Sequence, residues 1–329
     1  MAGDDLKSVI TPSLLDQVVS ARLPFDSAGE IDFTSAWLQI FAESAFADTV
    51  RPIAWPALDA LSRVGLDRMP DLYSLLPPLD SPSFPRQALG LQLLLDQCPR
   101  ALFSGIDARW TNGYFDRVSQ PFARSLLALP EPQRPHSRTR WAGASTAFWL
   151  LARVWLAAPL AHSEEVSTQE LCVAFVEESR RAAEEASGTM DPWRARRAEV
   201  LSDVHLFPLT LLEGVARPPG LPEGAEITME SIVYGMGMLM DAHKPIIDRF
   251  GRYPYANAIR GRDSTAEELE WIERTKHLGE APPEVARLVR EDMEAGRWRP
   301  LGSSESSWNA WRDEVNKKTK TAEGGHSDS

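Results

Sequence analysis

Apolar residues recur at spacings of three and four along almost the whole chain, and this periodicity constrains the fold more than any other feature. The spacing is clear in Phe33–Phe46, Tyr114–Leu129 and Ile227–Phe250, where it places the apolar side chains on one face of an α-helix. Few runs show the alternation of a half-buried strand. The 25 prolines fall mostly between the periodic segments, where a missing N–H is harmless. The sequence therefore predicts an all-α array of about ten to twelve helices, stacked in pairs as in a solenoid.

The chain of 329 residues is long enough to bury a substantial core, and we expect residues 1–316 to form a single helical domain. Residues 188–224 mix charge with proline and glycine, which predicts an insertion with one short helix around Trp193–Phe207. Residues 317–329 are polar and lack apolar anchors, so we expect a disordered tail. The long apolar stretch from residue 142 to 161 carries an arginine in its middle, which favours a buried helix over a membrane span.

Charge and cysteine content limit the partners and the compartment. The formal net charge is −12 and no basic stripe offsets it, so we expect no nucleic acid partner. Only Cys98 and Cys172 are present, without a CxxC pair, which fits a reducing cytosol. The chain does not open with a basic region followed by an apolar run, so we predict a cytoplasmic protein without a secretory signal or a membrane partner. The sequence leaves the oligomeric state open.

Three polar motifs interrupt the helical pattern, and the first follows a run of leucines. Asp96 and Gln97 precede a cysteine, a proline and Arg100. Asp96 and Arg100 lie four residues apart and can pair on one helix face. Two interpretations are open: these side chains bind a substrate, or they form an ion pair and amide network that ties two helices together.

The second motif, His162-Ser163-Glu164-Glu165, follows the long apolar stretch. A histidine beside carboxylates can act as a general base, because a neighbouring acid orients the imidazole and supports its protonated form. The same residues also suit a helix start, with Ser163 or Ser167 as the N-cap and acids in the first turn. Both interpretations remain open.

The third motif runs from His243 to Glu268 and contains a histidine, two glycines, an asparagine and four arginines, namely Arg249, Arg252, Arg260 and Arg262. The sequence Ser264-Thr-Ala-Glu267 predicts a capping box. Arginines just ahead of a helix N-terminus can bind a carboxylate or a phosphate. In a chain with so many acids, the alternative is that they pair within the molecule.

Taken in this order, the strings LLLDQ-x-PR, P-x-x-HSE and H-x-x-II-x-RFGR-x-P-x-x-N-x-x-x-GR-x-ST-x-EE resemble the family catalogued as domain of unknown function 924. This is an all-helical group found in bacteria and fungi whose fold is similar to tetratricopeptide repeats (TPR-like). The resemblance covers about residues 85–275 and implies a TPR-like antiparallel helical array. The following residues stand on its motif positions: Asp96, Gln97, Arg100, His162, Ser163, Glu164, Gln169, His243, Arg252, Asn257 and Arg262.

The chain departs from the family pattern at two polar positions. Ala101 replaces an asparagine that usually follows the Pro-Arg pair, and Ala256 replaces a basic residue. The aromatic-rich motif near the N-terminus is barely recognisable in Asp32–Ala47. These losses predict a polar site remodelled into a more apolar pocket, as in a member recruited to a specialised biosynthetic pathway.

From these motifs we expect a cofactor-independent enzyme that acts on a small organic molecule by acid–base chemistry, of the lyase, isomerase or cyclase type. The candidate catalytic residues are His162, His243 and Glu164. The candidate substrate-binding residues are Asp96, Gln97, Arg100, Arg252, Asn257 and Arg262. The alternative is a TPR-like module that binds a peptide or protein without catalysis. An enzyme requires an enclosed pocket with convergent His and Arg, whereas an interaction module requires an open groove.

The His162 and His243 segments are expected to meet in space, although about 80 residues separate them in the sequence. Polar groups at the ends of buried helices are costly unless they satisfy one another. The two segments offer complementary donors and acceptors. We therefore predict that they share one site.

Elemental analysis of the purified protein is expected to find no stoichiometric zinc, calcium or iron, and chelators are expected to leave its activity unchanged. The sequence contains no HExxH, no EF-hand loop and no Cys/His cluster with zinc spacing. A divalent ion coordinated by His162 and Glu164 would contradict this prediction.

Overall fold

The apolar periodicity corresponds to helices throughout residues 3–304, the part of the chain that the computed structural model describes. No strand occurs in this part, so the all-α prediction is confirmed. The α-helices are α1 (Gly3–Val9), α2 (Pro12–Arg22), α3 (Phe33–Ile40), α4 (Glu43–Val64), α5 (Phe84–Leu102), α6 (Ala108–Trp110), α7 (Asp116–Ala128), α8 (Thr146–Ala161), α9 (Val166–Ser187), α10 (Arg197–Val200), α11 (Leu206–Glu213), α12 (Met229–Asp241), α13 (Lys244–Phe250), α14 (Asn257–Arg260), α15 (Ala266–Arg274) and α16 (Pro283–Glu294). Their number exceeds the predicted ten to twelve, in part because α6, α10 and α14 are single turns. The tail predicted at residues 317–329 lies outside the described residues.

Side-chain caps explain where several of these helices begin. The side chains of Thr11 and Ser145 accept hydrogen bonds from the first-turn N–H groups of α2 and α8, which otherwise lack partners. A capping box opens α15, but it is formed by Thr265 and Glu268, one residue later than the predicted Ser264 and Glu267. The sequence pattern fits both registers, and in the structure Glu268 also pairs with an arginine, which favours the later one.

Helix α5 forms the centre of the main hydrophobic core, and nearly all of its residues are buried. It packs against α2, α4, α7 and α8, while α9 packs against α8 and α12. The crossing of α2 and α5 is close because Gly90 lies there: a Cβ atom at this position would be 2.4 Å from the carbonyl oxygen of Leu15. No helix in the described part of the chain is long and apolar enough to cross a membrane.

A second, smaller hydrophobic cluster is built from the C-terminal helices. Its buried residues include Ile246 of α13, Ile259 of α14, Trp271 of α15 and Val289 of α16. The loop that connects α13 to α15 is thus held between packed helices, and it carries most of the third polar motif. The position of this loop relative to α5 and α8 determines which of the motif side chains can meet.

Residues 188–224 contain two short helices, α10 and α11, rather than the one predicted around Trp193–Phe207. Buried charges attach this segment to the main body. Arg180 of α9 is 1 % exposed and forms ion pairs at 2.7 Å with both Asp191 and Asp241. Its guanidinium lies over Gly237, where an added Cβ atom would be 3.0 Å from Nε. The small residue on α12 therefore makes room for the buried arginine.

Arg180→Ala is expected to destabilise the fold by about 3–5 kcal/mol, because two buried carboxylates lose their shared partner. Arg181→Ala is the matched control: this neighbour is 73 % exposed and pairs with Glu177 on the surface, so its loss should cost at most about 1 kcal/mol. Urea unfolding of both variants measures the difference. Equal losses would show that the buried cluster contributes nothing beyond an ordinary surface pair.

Candidate functional site

A buried carboxylate holds His162 at the end of α8. The Nδ1 atom of His162 lies 2.9 Å from Oδ1 of Asp96, which projects from α5. Asp96 is 1 % exposed, and its second oxygen accepts a hydrogen bond from Nε2 of Gln97 at 2.6 Å. Burial raises the pKa of Asp96, but Arg100 and His162 outweigh it and hold this pKa well below its usual value. Asp96 is therefore ionised near neutral pH, beside Nδ1 of the imidazole ring.

Arg100 approaches the same nitrogen of His162 from a different direction. Its Nε donates to Nδ1 of His162 at 3.0 Å, and its Nη2 donates to Asp116 at 2.7 Å. Nδ1 therefore has a carboxylate acceptor and a guanidinium donor within reach at once. If Nδ1 carries a proton, it donates a hydrogen bond to Asp96. If Nδ1 is unprotonated, it accepts a hydrogen bond from Nε of Arg100. In either tautomer, Nε2 of His162 is the nitrogen left for a ligand.

The ion pairs continue from Arg100 into the loop that carries the third motif. Asp116 also pairs with Arg260 at 3.4 Å, and Arg260 pairs with Glu164 at 3.1 Å. Arg262 then donates to both oxygens of Glu164, at 2.8 and 2.9 Å. Burial raises the pKa of Glu164, but these arginines and the N–H of Tyr253 lower it overall. The polar motifs thus form one alternating charge network between α5, α7, the start of α9 and α14.

The other motif residues also have partners within the molecule. Arg252 donates to both oxygens of Glu268, at 2.6 and 2.7 Å. Asn257 donates from Nδ2 to the hydroxyl of Ser264 at 3.0 Å. Gln169 donates to the main-chain oxygen atoms of Ala161 and Ser163. These contacts agree with the second interpretation of the third motif, in which its polar side chains pair within the molecule.

The start of α9 differs from the predicted helix start. Its N-cap is Glu165, without a side-chain cap hydrogen bond, rather than Ser163 or Ser167. The hydroxyl of Ser163 instead accepts from the N–H of Glu165 at 3.2 Å. Glu164 faces the arginines of the loop, so the acid that directly orients His162 is Asp96 and not Glu164.

A cavity of about 220 Å³ lies next to His162. Three of the predicted site residues line it, namely Gln97, His162 and His243. The rings of the two histidines are 6.4 Å apart between centroids, which confirms that their segments meet. The remaining wall is mostly apolar and comes from α3, α8, α11 and α12: Ile40, Phe41, Val154, Trp155, Ala158, Ala161, Phe207, Leu211, Met236, Leu239 and Met240.

Six predicted site residues do not line this cavity: Glu164, Arg252, Asn257, Arg262, Asp96 and Arg100. Asp96 contacts the lining residues His162 and Gln97, and Arg100 contacts His162. The assignment of the first four to catalysis and substrate binding stays a prediction. The geometry centres the candidate site on the two histidines.

His243 is held as a neutral imidazole with one defined tautomer. Its Nδ1 lies 2.8 Å from the carbonyl oxygen of Leu239, which only accepts, so Nδ1 carries the proton. The ring centroid lies 3.8 Å from that of Phe207. Burial, the neighbouring His162 and Arg100 lower the pKa of His243 to about 3. Its Nε2 atom is consequently a hydrogen-bond acceptor near neutral pH.

Arg22 and Glu43 complete the cavity wall, and neither was predicted from the sequence. The Nη2 atom of Arg22 donates to Glu43 and to Gln97, each at 2.7 Å. The guanidinium lies 4.3 Å from the ring centroid of Phe46 and 4.0 Å from that of Trp155. Arg22 is only 1 % exposed. In the sequence it is a basic residue in the last turn of α2, a position that usually needs no further explanation.

No group of three or more His, Cys, Asp or Glu side chains between residues 3 and 304 is arranged to hold a metal ion. Cys98 and Cys172 are both buried free thiols, and burial raises the pKa of each. Neither thiol is a ready nucleophile. The ionisable groups at the cavity are thus histidines, carboxylates and one arginine.

These features define a class of protein: an all-helical array with a carboxylate–histidine pair beside a largely apolar cavity. A family model described as "Bacterial protein of unknown function (DUF924)" matches residues 78–276. This is more than half of the chain, and the chain belongs to that family. No curated protein and no solved structure matches the chain. Arg22 and Glu43 lie outside the matched range, so part of the cavity wall comes from outside the family region.

Arg252→Ala is expected to lower stability near pH 7 by about 1.5–3 kcal/mol, since Glu268 loses a charged hydrogen-bond partner. Arg252, together with the N–H of Thr265 and the side chain of Asn257, lowers the pKa of Glu268 from 4.5 to about 2, although burial opposes it. The pair therefore stabilises the fold above pH 4.5, and this contribution is lost as the pH falls through about 2. Urea unfolding should show a gap between wild type and variant that narrows with acidification.

The control is Arg249→Ala, which removes an arginine of the same motif, in the last turn of α13, whose side chain is 61 % exposed. Its effect on stability should be small at every pH. If Arg252→Ala keeps full stability but loses affinity for a ligand, the loop is a binding site rather than a structural element.

Proposed function

We propose that this protein is an enzyme that transfers a proton on a small organic molecule held in the cavity beside His162 and His243. The reaction is of the lyase, isomerase or cyclase type, and it belongs to a biosynthetic pathway in the cytoplasm. The observation that carries the proposal is the double contact at Nδ1 of His162, with Asp96 on one side and Arg100 on the other. Nucleic acid and membrane surfaces are not among its substrates.

His162 is suited to act first as a base and then as an acid. With its proton on Nδ1, the ring is stabilised by Asp96 and its Nε2 can take a proton from a substrate carbon or hydroxyl. The resulting imidazolium is stabilised by the buried carboxylate. Arg100 favours the opposite tautomer, in which Nε2 carries the proton and can return it. An elimination, an isomerisation or a cyclisation requires that a proton is removed from the substrate and that a proton is returned, at the same substrate atom or at neighbouring atoms.

The side chains around His162 bind the substrate and do not transfer a proton. His243 is neutral and accepts a hydrogen bond at Nε2. Arg22, whose charge is balanced by Glu43, lies in the same wall and fixes the amide of Gln97. Groups fixed in this way orient the substrate without reorganising during proton transfer. The chemistry proposed here uses only side chains, so it requires no cofactor.

The alternative from the sequence was a TPR-like module that binds a peptide or protein. Such modules bind along extended concave surfaces. Here the polar groups converge on a cavity instead: Arg22 is 1 % exposed and His243 is 7 % exposed, while the His162 side chain is 24 % exposed. Convergence of buried polar groups in a largely apolar pocket favours an enzyme.

The proposal is tested by proton exchange in D2O with a panel of enolisable cyclic ketones small enough for the cavity. Wild-type protein should accelerate exchange of the α-hydrogens, as followed by NMR. His162→Gln should reduce the acceleration by about 10²–10⁴-fold, the usual contribution of a general base. Asp96→Asn should also reduce it, because the imidazole loses the anion that stabilises its protonated form.

His205→Gln is the matched control, since this histidine lies outside the cavity and stacks on Trp271. The His205→Gln variant should accelerate exchange of the α-hydrogens as much as wild-type protein does. Thermal melts must show that His162→Gln remains folded. If wild-type protein accelerates exchange of no member of the panel, or if His162→Gln remains fully active, the proposed role of His162 is wrong.

A further inference from the structure

We infer that the substrate is an uncharged, largely apolar molecule that donates a hydroxyl or enol O–H to Nε2 of His243. This inference rests on the proposed function, because it specifies the substrate class of the same site. It assigns to His243 the recognition of one group on the substrate, separate from the proton transfer at His162.

The hydrogen-bonding state of His243 determines what it can recognise. Its Nδ1 proton is used by the carbonyl oxygen of Leu239 at 2.8 Å, which leaves a lone pair on Nε2. The ring lines the cavity, and the hydrogen bond that its imidazole makes within residues 3–304 is the one at Nδ1. An acceptor at the wall of a cavity gains a hydrogen bond when a ligand brings a donor to it. A ligand that fills the cavity is therefore favoured if it brings a donor to this atom.

The balance of charge around the cavity disfavours an anionic ligand. Arg22, the arginine in the wall, pairs with Glu43 and Gln97 through Nη2, while its Nε and Nη1 are buried without a hydrogen-bond partner and its guanidinium lies against the rings of Phe46 and Trp155. Asp96 and Arg100 likewise compensate each other at the base of His162. An anion in the cavity would have to displace Glu43 from Arg22 and would lose its hydration without gaining an unused counter-charge. A neutral hydroxyl group avoids both costs.

The rest of the wall favours an apolar body on the substrate. Trp155 of α8 and Phe207 of α11 contribute aromatic faces, and Met236 and Met240 of α12 contribute flexible thioethers. Methionine adapts its shape to irregular apolar ligands. With about 220 Å³ of space, the cavity suits a compact ring system that carries one hydroxyl group. Neither Ala101 nor Ala256 lines the cavity, so its apolar wall does not come from these two replacements.

Three probes of similar size separate the alternatives: 4-ethylphenol, 4-ethylanisole and sodium 4-ethylbenzoate, titrated near pH 7 by calorimetry. The phenol should bind about tenfold more tightly than the anisole, which has no O–H and leaves Nε2 of His243 without a donor. The benzoate should bind more weakly than the phenol. Tighter binding of the benzoate, or no saturable binding of any probe up to its solubility limit, overturns the inference.

His243→Leu should remove the preference for the phenol over the anisole while retaining an apolar wall. His136→Leu is the matched control, because His136 is also buried, at 7 % exposure, but lies outside the cavity. It should keep the tenfold preference. If His243→Leu keeps the preference for the phenol over the anisole, His243 does not bind the hydroxyl group. The wild-type comparison of the three probes stands as a test even if the variant does not fold.

The probe series and the exchange assay can fail independently. Probe binding is measured without turnover, and His162→Gln should keep the preference for the phenol. A preserved preference without any proton exchange would support the substrate class and refute the enzyme. Proton exchange together with a preference for the benzoate would support the enzyme and refute the substrate class.

Discussion

The carboxylate of Asp96 is almost completely buried, and an ionised carboxylate in such a place is tolerated only when donors surround it. Gln97 and Arg100 come from the same helix, while His162 comes from the end of α8. Satisfying this one anion therefore joins α8 to α5 at a defined position. It also orients the imidazole so that Nε2 is left for the cavity, and it links the functional site to the stability of the core.

Much of the fold and part of the site could be predicted from the sequence. The helices follow from apolar spacing, because burial of one face is a local property of the pattern. The meeting of His162 and His243 follows from the cost of isolated polar groups in a core. By contrast, Arg22 and Phe207 gave no local signal. Each belongs to the cavity only through the tertiary packing of α2 or α11, and spacing along the chain carries no information about such packing.

The third motif shows why residue type alone does not assign a role. Arg252 and Arg262 have the chemistry of an anion site, yet each already makes a two-pronged contact with a glutamate. A guanidinium that donates two hydrogen bonds to a carboxylate of the protein holds a loop in place, and the same geometry would bind the carboxylate of a ligand. The sequence could state both possibilities, and only the distances to Glu164 and Glu268 separate them.

One part of the cavity wall and the imidazole of His162 come from separate parts of the chain. Phe207 and Leu211 come from the segment at residues 188–224, whose attachment through Arg180 is independent of Asp96 and His162. Mutations in α11 can thus change which molecule fits without disturbing the imidazole or its carboxylate. Under the proposed function, such a division makes substrate choice and proton transfer separable, because different mutations alter the wall and the imidazole.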